Sequence, residues 1–342
     1  MNKKNIRNFA ACCMASVIVL TGCGASGGSG GGDQDANNNR DADYQVALVV
    51  GLGGLGDQSF NDGLYAGVQK AAENHDIGYQ VIEPTEYTEF NDNFMSLAGS
   101  GDYDLIIGCG YDAMEGLGMA AEEYPDQQFV FIDGAVEGCS NVTNYTFRDN
   151  EKTFLVGMMA ALKSETGKIG LVMGTDTPDQ HVFVAGYLAG AQYVKPDIDI
   201  DVKYVGSFTD ISKAKELAIA MSEDGVDIIY AAAGGAGAGV YSTAGEYGYL
   251  SIGTDSNLCP KYPDTMFLSA YRNMEVVVAD SIDAAMAGEK QGETVSVGLA
   301  EEAVGITNEG SNVETDPAFF EQTDEAKEAI ISGEIIVPNS LE

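Results

Sequence analysis

Short apolar, β-branched runs alternate with amphipathic stretches along most of this 342-residue chain, and that alternation restricts its possible folds more than any other feature. "YQVALVV" (44–50) precedes a segment that puts Phe60, Leu64, Val68 and Ala71 or Ala72 on one helical face. "GYQVIEP" leads into "YTEFNDNFMSLAGS", "YDLIIGCG" into "MEGLGMAAEEY", and "QQFVFIDG" (127–134) supplies a fourth run. After the helical stretch "EKTFLVGMMAALKSE" (151–165) the pattern restarts near Lys168. "KIGLVMG", "DVKYVGSF", "VDIIYAAAGG", "YLSIGTD" and "TMFLSAY" then follow, the first three each trailed by a helical segment. Strands alternating with helices predict βαβ units and parallel sheets. The restart predicts two of them. The expected fold is α/β with two lobes, each a mostly parallel sheet flanked by helices. Residues 44–150 plus 273–342 form the first lobe in this reading, and 151–272 the second. "MEVVVADSIDAAMAG" and "ETVSVGLA" are read as the return to the first lobe. Strand C-termini would face a cleft between the lobes, where open α/β sheets bind ligands.

The N-terminus predicts the compartment. Lys3, Lys4 and Arg7 precede "FAACCMASVIVL" (9–20), an apolar run of signal-peptide length. A spanning helix needs about 20 apolar residues. "LTGC", Leu20 to Cys23, resembles the lipobox of bacterial lipoproteins. Residues 1–22 are therefore read as a lipoprotein signal peptide and Cys23 as the lipidated residue. Residues 23–43, rich in Gly, Ser, Asn and Asp, are read as a flexible tether. This layout predicts a lipid-anchored protein on the extracytoplasmic face of a cell membrane.

The net charge is −36, and three units more negative once Lys3, Lys4 and Arg7 leave with the signal. Such a surface repels nucleic acid and anionic lipid, so no nucleic-acid partner is expected. The body keeps only Cys109, Cys139 and Cys259, which is no disulfide framework, although a Cys109–Cys139 bridge stays open. His75 and His181 have no ligand spacing around them. No metal or cofactor is expected, and the body is read as a monomer.

"GLGGLGDQSF" (51–60) spells G-x-G-x-x-G directly after a strand, the dinucleotide-binding fingerprint. A true fingerprint opens its helix at the third glycine and carries an acid about 20 residues further on. Here Asp57-Gln58-Ser59 follows Gly56, so the helix is expected to start at Phe60 with Ser59 as N-cap and Asp62 at capping-box spacing. The nearest suitable acid, Glu83, lies 27 residues past Gly56, and an exported protein meets no cytosolic NAD pool. The match is read as coincidence.

The same stretch, "GLGGLGDQSFNDGLYAGVQKA", resembles the first motif of the basic membrane lipoprotein family, the purine-nucleoside-receptor type of ABC-transporter substrate-binding lipoprotein. "FRDNEKTFLVGMMAALKSETGKIGLVMG" (147–174), "GSFTDISKAKELA" (206–218), "DIIYAAAGGAGAGVY" (227–241) and "SIGTDSN" (251–257) follow in the family's order. The resemblance implies a two-lobed type I periplasmic-binding-protein fold with its ligand cleft between the lobes. It also implies that the protein captures a nucleoside by lobe closure and delivers it to an ABC permease and ATPase, without chemistry. A nucleoside suits stacking rings around its base and buried polar groups around its ribose, with each ring worth about 1–3 kcal/mol.

Phe60 is expected to be one stacking ring, its alternative being a core-facing first-turn residue. Tyr230 is expected to be the second ring, its alternative an ordinary strand aromatic facing the core. Phe208 is a third aromatic candidate. Asn61 either bonds to the ligand or caps its helix. Asp112 and Glu115 both stand where the resemblance implies a base-edge carboxylate, and the choice stays open. Asp255 matches the acid that binds ribose hydroxyls, and Gly234 and Gly235 would let backbone amides approach the sugar. Two departures bear on specificity. Gly51 replaces the family's early acid, and Arg272 stands where most members have Lys, keeping the charge but changing its geometry. A riboflavin-like heterocycle–polyol, a surface sensor or adhesin, and an exported nucleosidase are the alternative functions.

Overall fold

The computed structural model describes residue 39 and residues 41–57 and 60–341. The segment read as a signal peptide, Cys23, most of the segment read as a tether, and Ser59, read as an N-cap, lie outside the described residues. Every βα unit of the first lobe follows the apolar periodicity: β1 (Tyr44–Val49), α1 (Phe60–Asn74), β2 (Ile77–Ile82), α2 (Glu89–Ser100), β3 (Leu105–Cys109), α3 (Gly110–Glu123) and β4 (Gln128–Ile132). A further strand, β5 (Val142–Phe147), leads into α4 (Asp149–Lys163). The second lobe runs through β6 (Lys168–Met173), α5 (Pro178–Val194), β7 (Asp199–Tyr204), α6 (Ile211–Glu223), β8 (Ile228–Ala232), α7 (Ala238–Tyr247), β9 (Leu250–Gly253) and β10 (Met266–Arg272). The chain ends with α8 (Met274–Met286), β11 (Thr294–Val297), β12 (Val304–Thr307) and α9 (Pro317–Ile331).

Two six-stranded sheets result, ordered β11-β5-β4-β3-β1-β2 and β12-β10-β9-β8-β6-β7. The second repeats the order of the first. All pairs are parallel except β10 with β12. Helices cover both faces, so the strands bury side chains in both directions. On β1, Val46 and Leu48 enter the core beneath α1 and α8, while Ala47 and Val49 enter the core beneath α2 and α3. The α4–α5 pair in the second lobe crosses at very short range. A Cβ on Gly190 would run into the Phe154 carbonyl, and one on Gly157 into the Tyr187 carbonyl. Only glycine allows this approach, which fixes α4, the helix that carries Asp149 and Lys152.

The assignment of 273–342 to the first lobe needs correction. α8 packs on α1 and β11 pairs with β5 in the first sheet, but β12 then pairs with β10 in the second. Phe319 and Phe320 of α9 pack against the second lobe's core. Strands β11 and β12 have four residues each and only a short connection between them. Each completes the edge of a different sheet, and apolar periodicity does not encode which edge a short strand joins. The chain therefore crosses between lobes three times, at β5–α4, β10–α8 and β11–β12.

Candidate functional site

The C-terminal ends of both sheets converge on one cleft of about 610 Å³, within the range of small-molecule sites. From the first lobe come the Gly51 loop, Phe60 and Asn61 at the start of α1, Asp112 of α3, and Asp133 after β4. From the second come Phe183 of α5, Phe208, Gly234 and Asp255. Arg272, the last residue of β10, stands at a crossing between the two.

Phe60 borders the cleft while its ring packs partly against the first lobe's core. Asn61 is buried and braces the glycine loop: its Oδ1 accepts from Gly51 N–H at 2.9 Å and its Nδ2 donates to the Gly54 carbonyl at 3.0 Å. Asp112 lines the cleft. Glu115, one turn along α3, is not among the lining residues, and its carboxylate accepts from the Tyr87 hydroxyl at 3.3 Å. Gly234 lines the cleft with φ of 54°; Gly235 is exposed but does not.

Tyr230 is not a cleft ring. It is fully buried in the second lobe's core, stacked on Tyr187 with centroids 5.8 Å apart, and its hydroxyl is 3.2 Å from Thr254 Oγ1. The cause is strand geometry. Side chains alternate along β8, and Ile228, Tyr230 and Ala232 all face that core, with Tyr230 two residues short of the strand's end. Phe208 occupies the position expected for Tyr230. It lies in the β7–α6 loop, 42% exposed, with its ring against the Cα of Gly174 beyond β6, where a Cβ would collide with it. The aromatic residues that line the cleft are Phe60 and the exposed Tyr111 of the first lobe, Phe183 and Phe208 of the second, and Phe147 at the end of β5; Phe60 and Phe208 are the two of these that the sequence also singled out.

Asp255 lines the cleft in a left-handed conformation, φ 66°. Asp133, which sequence reasoning missed, mirrors it. It follows β4, the strand equivalent to β9 in the repeated sheet order, and has φ 68°. Non-glycine residues in this region carry backbone strain that clusters at functional sites. The repeat was the signal: "FVFIDG" and "LSIGTD" end matching strands with an aspartate.

Arg272 ties the cleft together. Nε and Nη2 bond to the two carboxylate oxygens of Asp149 at 2.9 and 2.6 Å, and Nη1 bonds to Asp133 at 3.0 Å. Its guanidinium lies over the Phe147 and Phe183 rings, 5.0 and 5.6 Å from their centroids. A lysine has no planar fork to make this arrangement. Lys152 is wholly buried behind the pair with Nζ 2.7 Å from Asp149 Oδ1. Burial opposes ionisation of Asp149, but Arg272 and Lys152 outweigh it and hold its pKa down at about 2. At Asp133 burial dominates, and its pKa is raised despite Arg272. Cys109, Cys139 and Cys259 are free thiols, so Cys109 and Cys139 do not pair. No cluster of His, Cys, Asp or Glu among the described residues could hold a metal ion.

Two parallel-sheet lobes joined by three crossings, with one cleft at the strand C-termini, define the type I periplasmic-binding-protein class of solute-binding proteins. Residues 44–340 match the family described as "ABC transporter substrate-binding protein PnrA-like", and the chain belongs to that family. The "ABC transporter nucleoside-binding protein BmpA" of Lactococcus lactis subsp. cremoris is 31% identical, over 98% of this chain and 99% of its own. The "CD4+ T-cell-stimulating antigen" of Listeria innocua is 30% identical over 99% of both chains. An "Uncharacterized lipoprotein" of Pyrococcus furiosus is 29% identical over 77% of this chain and 70% of its own. An ABC solute-binding protein from Aeropyrum pernix K1 has a TM-score of 0.76 at 28% identity, covering 87% of this chain and 94% of that one. An arabinose-binding protein from Geobacillus stearothermophilus shares the fold, with a TM-score of 0.64 at 14% identity over 78% of this chain and 97% of its own.

Proposed function

We propose that this protein is the lipid-anchored receptor of an ABC importer, which captures a purine nucleoside outside the membrane and hands it to its permease. The observation that carries this reading is the pairing of Phe60 and Phe208 from opposite lobes across a cleft rimmed by Asp112, Asp133 and Asp255. Two rings suit a flat base, and carboxylates accept hydrogen bonds from ribose hydroxyls and exocyclic amines. The lactococcal relative's name supports a nucleoside, and the Pyrococcus relative's name supports lipidation at Cys23. In this reading the lobes close on the ligand, bringing rings from both sides onto one base.

Incubating the purified body with adenosine, inosine, guanosine and riboflavin tests this. A purine nucleoside should raise the melting temperature and be recovered intact by chromatography. Stabilisation by riboflavin alone would transfer the role to a flavin. Release of free base would make the protein a nucleosidase, and no response to any of the four would refute the reading.

A further inference from the structure

Three large apolar or aromatic side chains that line the cleft are exposed: Leu52, Tyr111 and Phe208. Tyr111 stands apart, 81% exposed against 40% for Leu52 and 42% for Phe208. The Phe208 ring is seated on Gly174. Among the described residues, no hydrogen bond or ring contact holds Tyr111, and it belongs to neither core of the first lobe. Folding therefore makes no use of this ring.

The backbone puts it at the cleft's mouth. β3 ends at Cys109 and α3 opens at Gly110 with no loop between them, a passage that needs φ of 72° at Gly110 and hence a glycine. Tyr111 is the next residue, in the first turn of α3. That helix is rooted in the core by Ala113, Leu117 and Ala120, so the ring can move by side-chain rotation alone. Such rotations are fast for an exposed residue. From the other lobe, the first two turns of α5 bring the half-buried Val182 and the buried Phe183 to the same cleft.

We propose that Tyr111 is the lid of the cleft: when the lobes close on a ligand, its ring folds over the mouth, packs against Val182 and sets how fast the ligand leaves. This rests on the nucleoside reading above and adds to it a residue that retains the ligand. An exposed ring at this point costs the unliganded protein little, and it supplies apolar area that only the closed state buries. Burying a ring of this size is worth about 30-fold in affinity, carried mainly by the dissociation rate.

Stopped-flow and calorimetric titration of the body with adenosine, inosine, guanosine and riboflavin test the proposal. Tyr111→Ala should leave the melting temperature of the unliganded protein unchanged and speed dissociation of the best ligand about 30-fold. Tyr111→Phe should dissociate like the wild type, because the ring and not the hydroxyl does the covering. Met119→Ala, which removes another exposed side chain of α3 that does not line the cleft, should have no effect. Val182→Ala should weaken binding less in the Tyr111→Ala background than in the wild type, since the two side chains meet only in the closed state. The chain contains no tryptophan, so Tyr111→Trp places a single reporter at the mouth, and its emission should shift to the blue on saturation. Wild-type dissociation in Tyr111→Ala, or a tryptophan spectrum that saturating ligand leaves unchanged, would overturn the lid while leaving the nucleoside reading in place. A wild type that binds none of the four compounds would overturn both.

Discussion

Asp149 and Asp133 hold the same guanidinium from two sides, and their environments push their acidities apart. Asp149 has a native pKa near 2, below the unfolded value of about 3.9. The unfolded chain therefore binds more protons in that window, and stability is lost as pH falls from about 4 through about 2. Removing the Asp149 charge leaves Arg272 and Lys152 facing each other in the interior. Asp149→Asn should cost about 3 kcal/mol at neutral pH and flatten the acid limb of the stability profile. For Asp133 the sign reverses. Its native pKa is raised, so the ionised form costs stability at neutral pH, and Asp133→Asn should melt at the same temperature as the wild type or higher. Thermal melts between pH 2 and 8 of the three proteins check both expectations; a fall in both variants would show that the two carboxylates act alike. Tyr230 and Phe208 mark what was legible at this scale. Phe208 stood only third among the aromatic candidates in a run, "DVKYVGSF", read as strand; β7 ends at Tyr204 and the ring belongs to a loop. Tyr230 had the composition expected of a strand-end platform, yet the two-residue alternation of β8 turns it inward. Tyr230→Ala should accordingly cost about 3–5 kcal/mol of stability, as deletion of a large core side chain does, measured by denaturant unfolding.

Elements were legible wherever an apolar run was bounded by turn residues and followed by an amphipathic helix. Strand β5 was not, since "VTNYTF" carries Thr and Asn at buried positions. Those polar groups are satisfied by contacts no local pattern shows: Thr143 Oγ1 donates to the Lys290 carbonyl, and Asn144 Oδ1 accepts from Val136 N–H. The platform under Phe208 depends likewise on a residue with no side chain. Gly174→Ala should leave the sheet folded but lift the ring off the end of β6. Nucleoside affinity should then fall about tenfold, within the range for a stacking contact, with little change in melting temperature. Parallel calorimetry and thermal melts separate this from a folding defect, in which both quantities would drop.

In the whole molecule, the three crossings between the sheets are bound to one another by ion pairs and backbone hydrogen bonds. Arg148, beside the first crossing, bonds to Glu151 and Glu301 at 2.6 Å each, while its N–H donates to the Val297 carbonyl at 2.8 Å. Leu299 N–H donates to Glu151 Oε2 at 2.8 Å, so the first and third crossings are stitched together. Asn273 N–H donates to the Ala303 carbonyl and brings in the second. Sequence reasoning reached the two lobes and the cleft because repeated βα units imply them. It missed the third crossing because a four-residue strand can finish either sheet. The proposed lobe closure predicts that solution scattering shows a smaller radius of gyration when ligand saturates the cleft. An unchanged radius would place binding in a preformed closed state.

The account turns on Phe60 and Phe208 meeting one flat ligand from opposite lobes. Its most direct test is calorimetric titration of the best-binding purine nucleoside into the wild type, Phe60→Ala, Phe208→Ala and the double variant. Each single substitution should weaken binding by about 10- to 100-fold, and the double variant should lose less than the sum of the two because a half-clamped base already loses most of its stacking. Wild-type affinity in both single variants, with folding intact, would contradict it.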